Sequence, residues 1–163
     1  MSNQWLKPAL IAAVILQLVI MTGVFVKGFY PLWLGQEVRL ETRPVDPRDL
    51  FRGNYARLGY DFTTLDSADF RPGEPVFLPL IEEGDLWVTG EALHEPPEQG
   101  LYLRGRVTGP RWADTRRALF GIEALFAPKE KALALEKELR DGAVAVIKVA
   151  PNGRAALVRV NSE

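Results

Sequence analysis

The chain has 163 residues, 47% of them hydrophobic, 25% charged and 10% aromatic, the makeup of one folded domain rather than of two large ones or of a disordered segment. It contains no cysteine and one histidine, His94, which excludes disulfides, thiol nucleophiles, Cys-ligated zinc or iron–sulfur centres and every multi-histidine metal site. All 21 acids follow Lys27, whereas two of the 20 bases, Lys7 and Lys27, do not, so the remainder is mildly acidic and unsuited to nucleic acid.

From Pro8 to Val26 the residues PALIAAVILQLVIMTGVFV carry no charge. As a helix this stretch spans about 28 Å, close to the thickness of a bilayer's hydrocarbon core. It predicts a transmembrane anchor that, with its interfacial flank, occupies residues 1–34. Trp5 and Lys7 on one side, and Lys27, Phe29, Tyr30 and Trp33 on the other, supply snorkelling cations and amphipathic rings at interface depth. Gln17 is a polar point within the span, either tolerated there or hydrogen-bonded to a neighbouring helix. A cleaved signal peptide is the rival reading. Against it, the apolar run exceeds the usual core of roughly 7–15 residues, and TGVFVKGFY offers no small-x-small cleavage site. Basic residues flank the span on both sides, so the positive-inside count does not fix its orientation. Long following domains translocate largely regardless of charge. The expected placement is therefore a single pass through a membrane with the C-terminal domain translocated across it; the resemblance given below makes that a bacterial inner membrane and the periplasm.

Residues 35–163 read as one mostly-β or α+β domain. Glu37–Arg43 alternates as a half-buried strand, and Pro44-Val45-Asp46-Pro47 breaks it, with Asp46 capping a short turn over RDLF. Alternation resumes over Asn54–Phe62, with Ala56, Leu58, Tyr60 and Phe62 on the expected core face. Pro75–Ile81 and Asp85–Leu93 form a predicted hairpin around Glu82-Glu83-Gly84. Leu101–Val107 and Ala118–Phe126 are further predicted strands. An amphipathic helix is expected from Pro128 to Arg140, with Ala132, Leu135 and Leu139 as its stripe, before Asp141-Gly142 ends it. AVAVIKV and AALVRV close the chain as a hairpin whose turn contains Asn152-Gly153.

Chemistry is weakly signalled. The densest constellation, Asp46 to Arg57, holds Arg48, Arg52 and Arg57, which either clamp an anionic group or pair with Asp46 and Asp49 to buckle a turn. Asp61, Asp66 and Asp69 lack the spacing of a calcium loop and read as a solvated turn. Ser67, with His94 and an aspartate, is the sole sketch of a hydrolytic site, and no nucleophile elbow surrounds it. Tyr55, Trp87, Tyr102 and Trp112 are either core aromatics or a binding surface. These residues imply no catalytic set, no metal and no cofactor.

The run Gly53-Asn54-Tyr55-Ala56-Arg57-Leu58-Gly59-Tyr60, preceded by Pro47-Arg48-Asp49-Leu50-Phe51-Arg52, resembles the signature of the GDYXXLXY proteins. The likeness continues in Gly121-Ile122-Glu123, Phe126, Pro128 and Leu135-Glu136. Asn54 departs from the aspartate of the family name, losing a charge but keeping an Asx side chain able to cap a turn. The resemblance implies membrane-anchored bacterial proteins without an established biochemical function, often encoded beside polytopic membrane proteins. The expectation is a non-enzymatic accessory subunit in lipid contact with a polytopic inner-membrane protein. Arg48, Asp49, Arg52, Asn54, Tyr55, Arg57, Leu58 and Tyr60 would then shape the partner surface. The alternative is a tethered periplasmic sensor or anionic-ligand binder that uses the same arginines.

Overall fold

The computed structural model describes residues 6–43, 55–66, 69–110, 112, 115–126 and 143–162. Helix α1, Leu6–Leu34, outruns the uncharged stretch by two turns and includes Pro31. It is long and apolar enough to cross a membrane, and none of its most apolar window is buried by the domain. Phe25, Phe29 and Trp33 stack in sequence along it, at centroid distances of 4.4 and 5.8 Å, as i, i+4 spacing requires.

The strands that follow are β1 (Gln36–Thr42), β2 (Tyr55–Arg57), β3 (Thr64–Asp66), β4 (Pro75–Glu83) and β5 (Leu86–Thr89). Then come β6 (Leu101–Thr108), β7 (Thr115–Leu119), β8 (Ala124–Phe126), β9 (Ala143–Val149) and β10 (Ala155–Ser162). They form a three-stranded sheet β1-β9-β10, a five-stranded sheet β3-β7-β6-β4-β5 and the pair β2-β8, antiparallel throughout. This is the expected β-rich domain behind an apolar helix. One core joins the sheets: Val38 and Leu40 of β1, Val76, Leu78 and Leu80 of β4, Leu103 and Val107 of β6, and Ala145, Ile147 and Val149 of β9. Strand β9 is central in its sheet and buried on both faces, which is why its sequence is a continuous apolar run broken only by Lys148.

Four local expectations are corrected. The loop of the β4–β5 hairpin is Gly84-Asp85, two residues later than expected, with Gly84 at φ 65°. Strand β5 stops at Thr89 rather than Leu93. Gly90 donates to the carbonyl of Pro79, but Pro79 has no N–H to return, and pairing resumes only at Phe77 and Leu93. The predicted strand 118–126 is broken into β7 and β8, because Gly121 takes φ 83° and the Glu123 carboxylate accepts hydrogen bonds from the Phe120 and Gly121 N–H groups. Likewise, Leu65 of the supposed solvated turn is buried and lies in β3. The Asn-Gly turn between β9 and β10 stands as read, with Gly153 at φ 76°. The amphipathic helix expected at 128–140 and the turn around Asp46 lie outside the described residues.

Candidate functional site

Two regions of the domain carry polar side chains that hold separate elements together. The first is the signature corner. Strand β2 pairs with β8, setting Tyr55 opposite Phe126 and Arg57 opposite Ala124. The Leu58 N–H then donates to the carbonyl of Glu123 at 2.9 Å, and the Tyr60 hydroxyl donates to the carbonyl of Ile122 at 3.2 Å. The two stretches of the sequence likeness, around Leu58–Tyr60 and around Gly121–Glu123, are thus packed side by side. Burial, and to a smaller degree the charge of Glu123, hold the Tyr60 phenol above the usual tyrosine range. Tyr60 is therefore a neutral donor here, not an acid–base group. Its ring stacks on Phe62 at 5.1 Å, and Phe62 meets Phe120 edge-on at 5.6 Å.

Leu58 and Tyr60 are each only 4% exposed, so neither presents a side chain to a partner; both shape the surface from beneath. Arg48, Asp49, Arg52 and Asn54 lie outside the described residues, and Tyr55 and Arg57 are placed by their backbone alone. Beside the corner is a cleft of about 130 Å³ lined by Leu58, Gly59, Thr63, Arg117, Leu119 and Glu123, among others. A second, of about 290 Å³, lies between β1 and β5, edged by the Arg43–Asp61 ion pair and by Trp87. The Thr63 hydroxyl donates to the carbonyl of Tyr60 and that of Thr42 to Ala143. Among the described residues no group of three or more acids or histidines is placed to hold a metal ion. Exposed His94 stacks on Phe70 at 4.3 Å, and Ser67 lies outside the described residues.

Of the aromatics singled out by sequence, Trp87 packs against the core and Tyr102 meets Phe77 edge-on at 5.9 Å. Trp112 is 85% exposed.

The second region is the junction of α1 with the domain. Of the anchor residues, Lys7, Gln17, Lys27 and Trp33 are exposed and Tyr30 is half-buried; Trp5 lies outside the described residues. Sequence reasoning missed the residues that make the joint. Pro31 lacks the N–H that would bond the carbonyl of Lys27 one turn earlier. Arg154, in the β9–β10 turn, supplies that donor through Nη1 at 3.2 Å. The carbonyl of Leu32 lies in the last turn, where intrahelical donors run out, and Lys148 Nζ donates to it at 2.8 Å. Both cations also sit at the negative end of the helix dipole. Pro31 is buried, and Gly35 packs so closely on β9 that a Cβ there would lie 3.0 Å from Lys148 and 2.2 Å from the Pro31 carbonyl oxygen. The signals were present: a proline inside an apolar helix, and one charge in the apolar run AVAVIKV.

Compared with known proteins, the chain matches one family model, described as GDYXXLXY protein, over residues 17–160. Nothing among the curated proteins or the solved structures matches it.

Proposed function

Because the chain belongs to the GDYXXLXY protein family, which brings no established activity with it, we propose its role from the anchor and the joint: a non-enzymatic, single-pass accessory subunit. In this reading α1 lies in the bacterial inner membrane against a polytopic membrane protein, and the β-domain covers or positions that protein's periplasmic face.

The observation that carries the reading is the apolar helix itself, uncovered by its own domain yet joined to it through Pro31, Leu32 and Gly35. Such a surface requires lipid or another helix. Gln17, exposed in the middle of the span, gains most from a neighbouring helix that offers a hydrogen bond. The joint also favours a retained anchor over a signal peptide, since cleavage just after the apolar run would cut into the helix at the Lys27–Pro31 turn that Arg154 clips. Translocation of a long domain behind one N-terminal span supports the periplasmic side.

The test is gentle solubilisation of native membranes and purification through a C-terminal tag, with the mass and composition of what is recovered. A stoichiometric polytopic companion supports the subunit. A lone monomer under every condition overturns it and moves attention to Arg48, Arg52 and Arg57 as an anion-binding set.

A further inference from the structure

We infer that the β9–β10 turn, with Lys27 and Arg104, forms a phosphate-binding corner on which the domain rests against the headgroups of anionic phospholipids. The inference rests on the proposal that α1 spans the bilayer.

Lys27 is the first charge after the uncharged run and so marks the edge of the hydrocarbon. The helix continues for seven residues to Leu34, about 10 Å further into the headgroup layer and beyond it. Most of the domain begins there, but one piece of it turns back. The bond from Arg154 to the Lys27 carbonyl brings the β9–β10 turn to the depth of Lys27 itself. The Arg104 N–H donates to the carbonyl of Gly153 at 2.7 Å, which sets the exposed Arg104 beside the same turn.

The Lys27 backbone, the Arg104 backbone and Arg154 therefore meet around one turn, with Lys148 bonded about one turn further along the helix; the Arg104 guanidinium lies over the Phe77 ring, 5.9 Å from its centroid. Among the described residues none of these four is paired with a carboxylate; the ion pairs found there are Arg43–Asp61 and Arg159–Glu37. Arg154 spends one of its five N–H donors on the helix and keeps the others for a second acceptor. Lys27 and Arg104 are exposed, and Lys148 and Arg154 half-exposed, so all four can reach solvent. An open arc of cations at headgroup depth fits a plane of lipid phosphates better than a single enclosed anion.

The absence of cysteine allows one probe to be placed cleanly: Asn152→Cys, exposed at the tip of the turn and labelled with a nitroxide. The full chain is reconstituted in phosphatidylcholine vesicles with and without phosphatidylglycerol, and collision with a water-soluble paramagnetic reagent is read. Phosphatidylglycerol is expected to cut the collision rate by about threefold, with the effect fading at high salt. The double variant Lys27→Gln, Arg104→Gln leaves the Arg154 and Lys148 bonds in place and should abolish that difference.

Equal collision rates in the two lipids, or protection that survives the double variant, would overturn the headgroup corner while leaving the anchor standing. Millimolar inorganic phosphate that reproduced the protection in phosphatidylcholine alone would replace lipid by a soluble anion and overturn the lipid assignment. Release of the chain by alkaline carbonate would remove the anchor and this corner together.

Discussion

At the signature corner Tyr60 and Glu123 hold neighbouring strands through bonds to backbone groups in or beside the core, whereas at the helix junction Lys148 and Arg154 reach across to carbonyls of a helix that is otherwise uncovered. The difference lies in what is left when a bond is lost. Removing the buried hydroxyl leaves the Ile122 carbonyl without that donor inside the fold, which costs its desolvation. Removing a half-exposed cation leaves a carbonyl that water can serve. The corner should therefore govern whether the domain is folded, and the junction how it is aimed.

The sharpest way to break this contrast is Tyr60→Ala, which should cost about 3–5 kcal/mol through the lost ring and the cavity it leaves. Urea denaturation of the full chain in detergent measures it, and a loss no larger than that of Arg154→Ala would erase the distinction between the regions. Tyr60→Phe isolates the hydroxyl at about 1–2 kcal/mol and adds a pH signature. The folded phenol is held above its ordinary value, by burial first and Glu123 second, so the unfolded chain ionises first. The stability gap between wild type and Tyr60→Phe should be constant below pH about 10 and shrink as pH rises toward the folded value.

Between these two in size is Gly153→Ala, at about 1–3 kcal/mol. A Cβ there would lie 2.3 Å from the Tyr102 ring, on a backbone at φ 76°. Near-neutral behaviour would show that the turn carrying Arg154 adapts freely. Glu123→Ala should follow at about 1–2 kcal/mol, because it strips the acceptor from two N–H groups at the β7–β8 break. Smallest is a double-mutant cycle. Pro31→Ala restores an N–H for the Lys27 carbonyl, so Arg154→Ala should cost about 0.5–1 kcal/mol less in that background. Additive effects would mean that Arg154 does not substitute for the missing proline donor.

Much of this was legible in the sequence: period-2 alternation reports burial on one face in β1 and β6, a continuous apolar run marks the doubly buried β9, and the bounds of these strands and of β10 fall within a residue or two of those read. Alternation cannot report a strand that a glycine and a carboxylate cut in two, which is how 118–126 was misread, nor a missing N–H at Pro79 that ends β5 early. Of the signature, Leu58 and Tyr60 were readable as core-facing, but their bonds to Glu123 and Ile122 depend on a partner segment some sixty residues away. The junction was hidden for a similar reason. A lysine in an apolar strand acquires a meaning only once a helix end is known to lie beside it.

The pairing of β1 with β9 also imposes an order on biogenesis. Strand β1 leaves the ribosome directly behind the anchor, yet its hydrogen-bonding partner, set by contacts such as Thr42 to Ala143, is 101 residues further along. Until that late hairpin has been made, β1 has an open edge and the helix lacks both of its cationic clips. Closing so long a loop is slow. The interval is the natural window for a chaperone to act, and for mispairing when none is present.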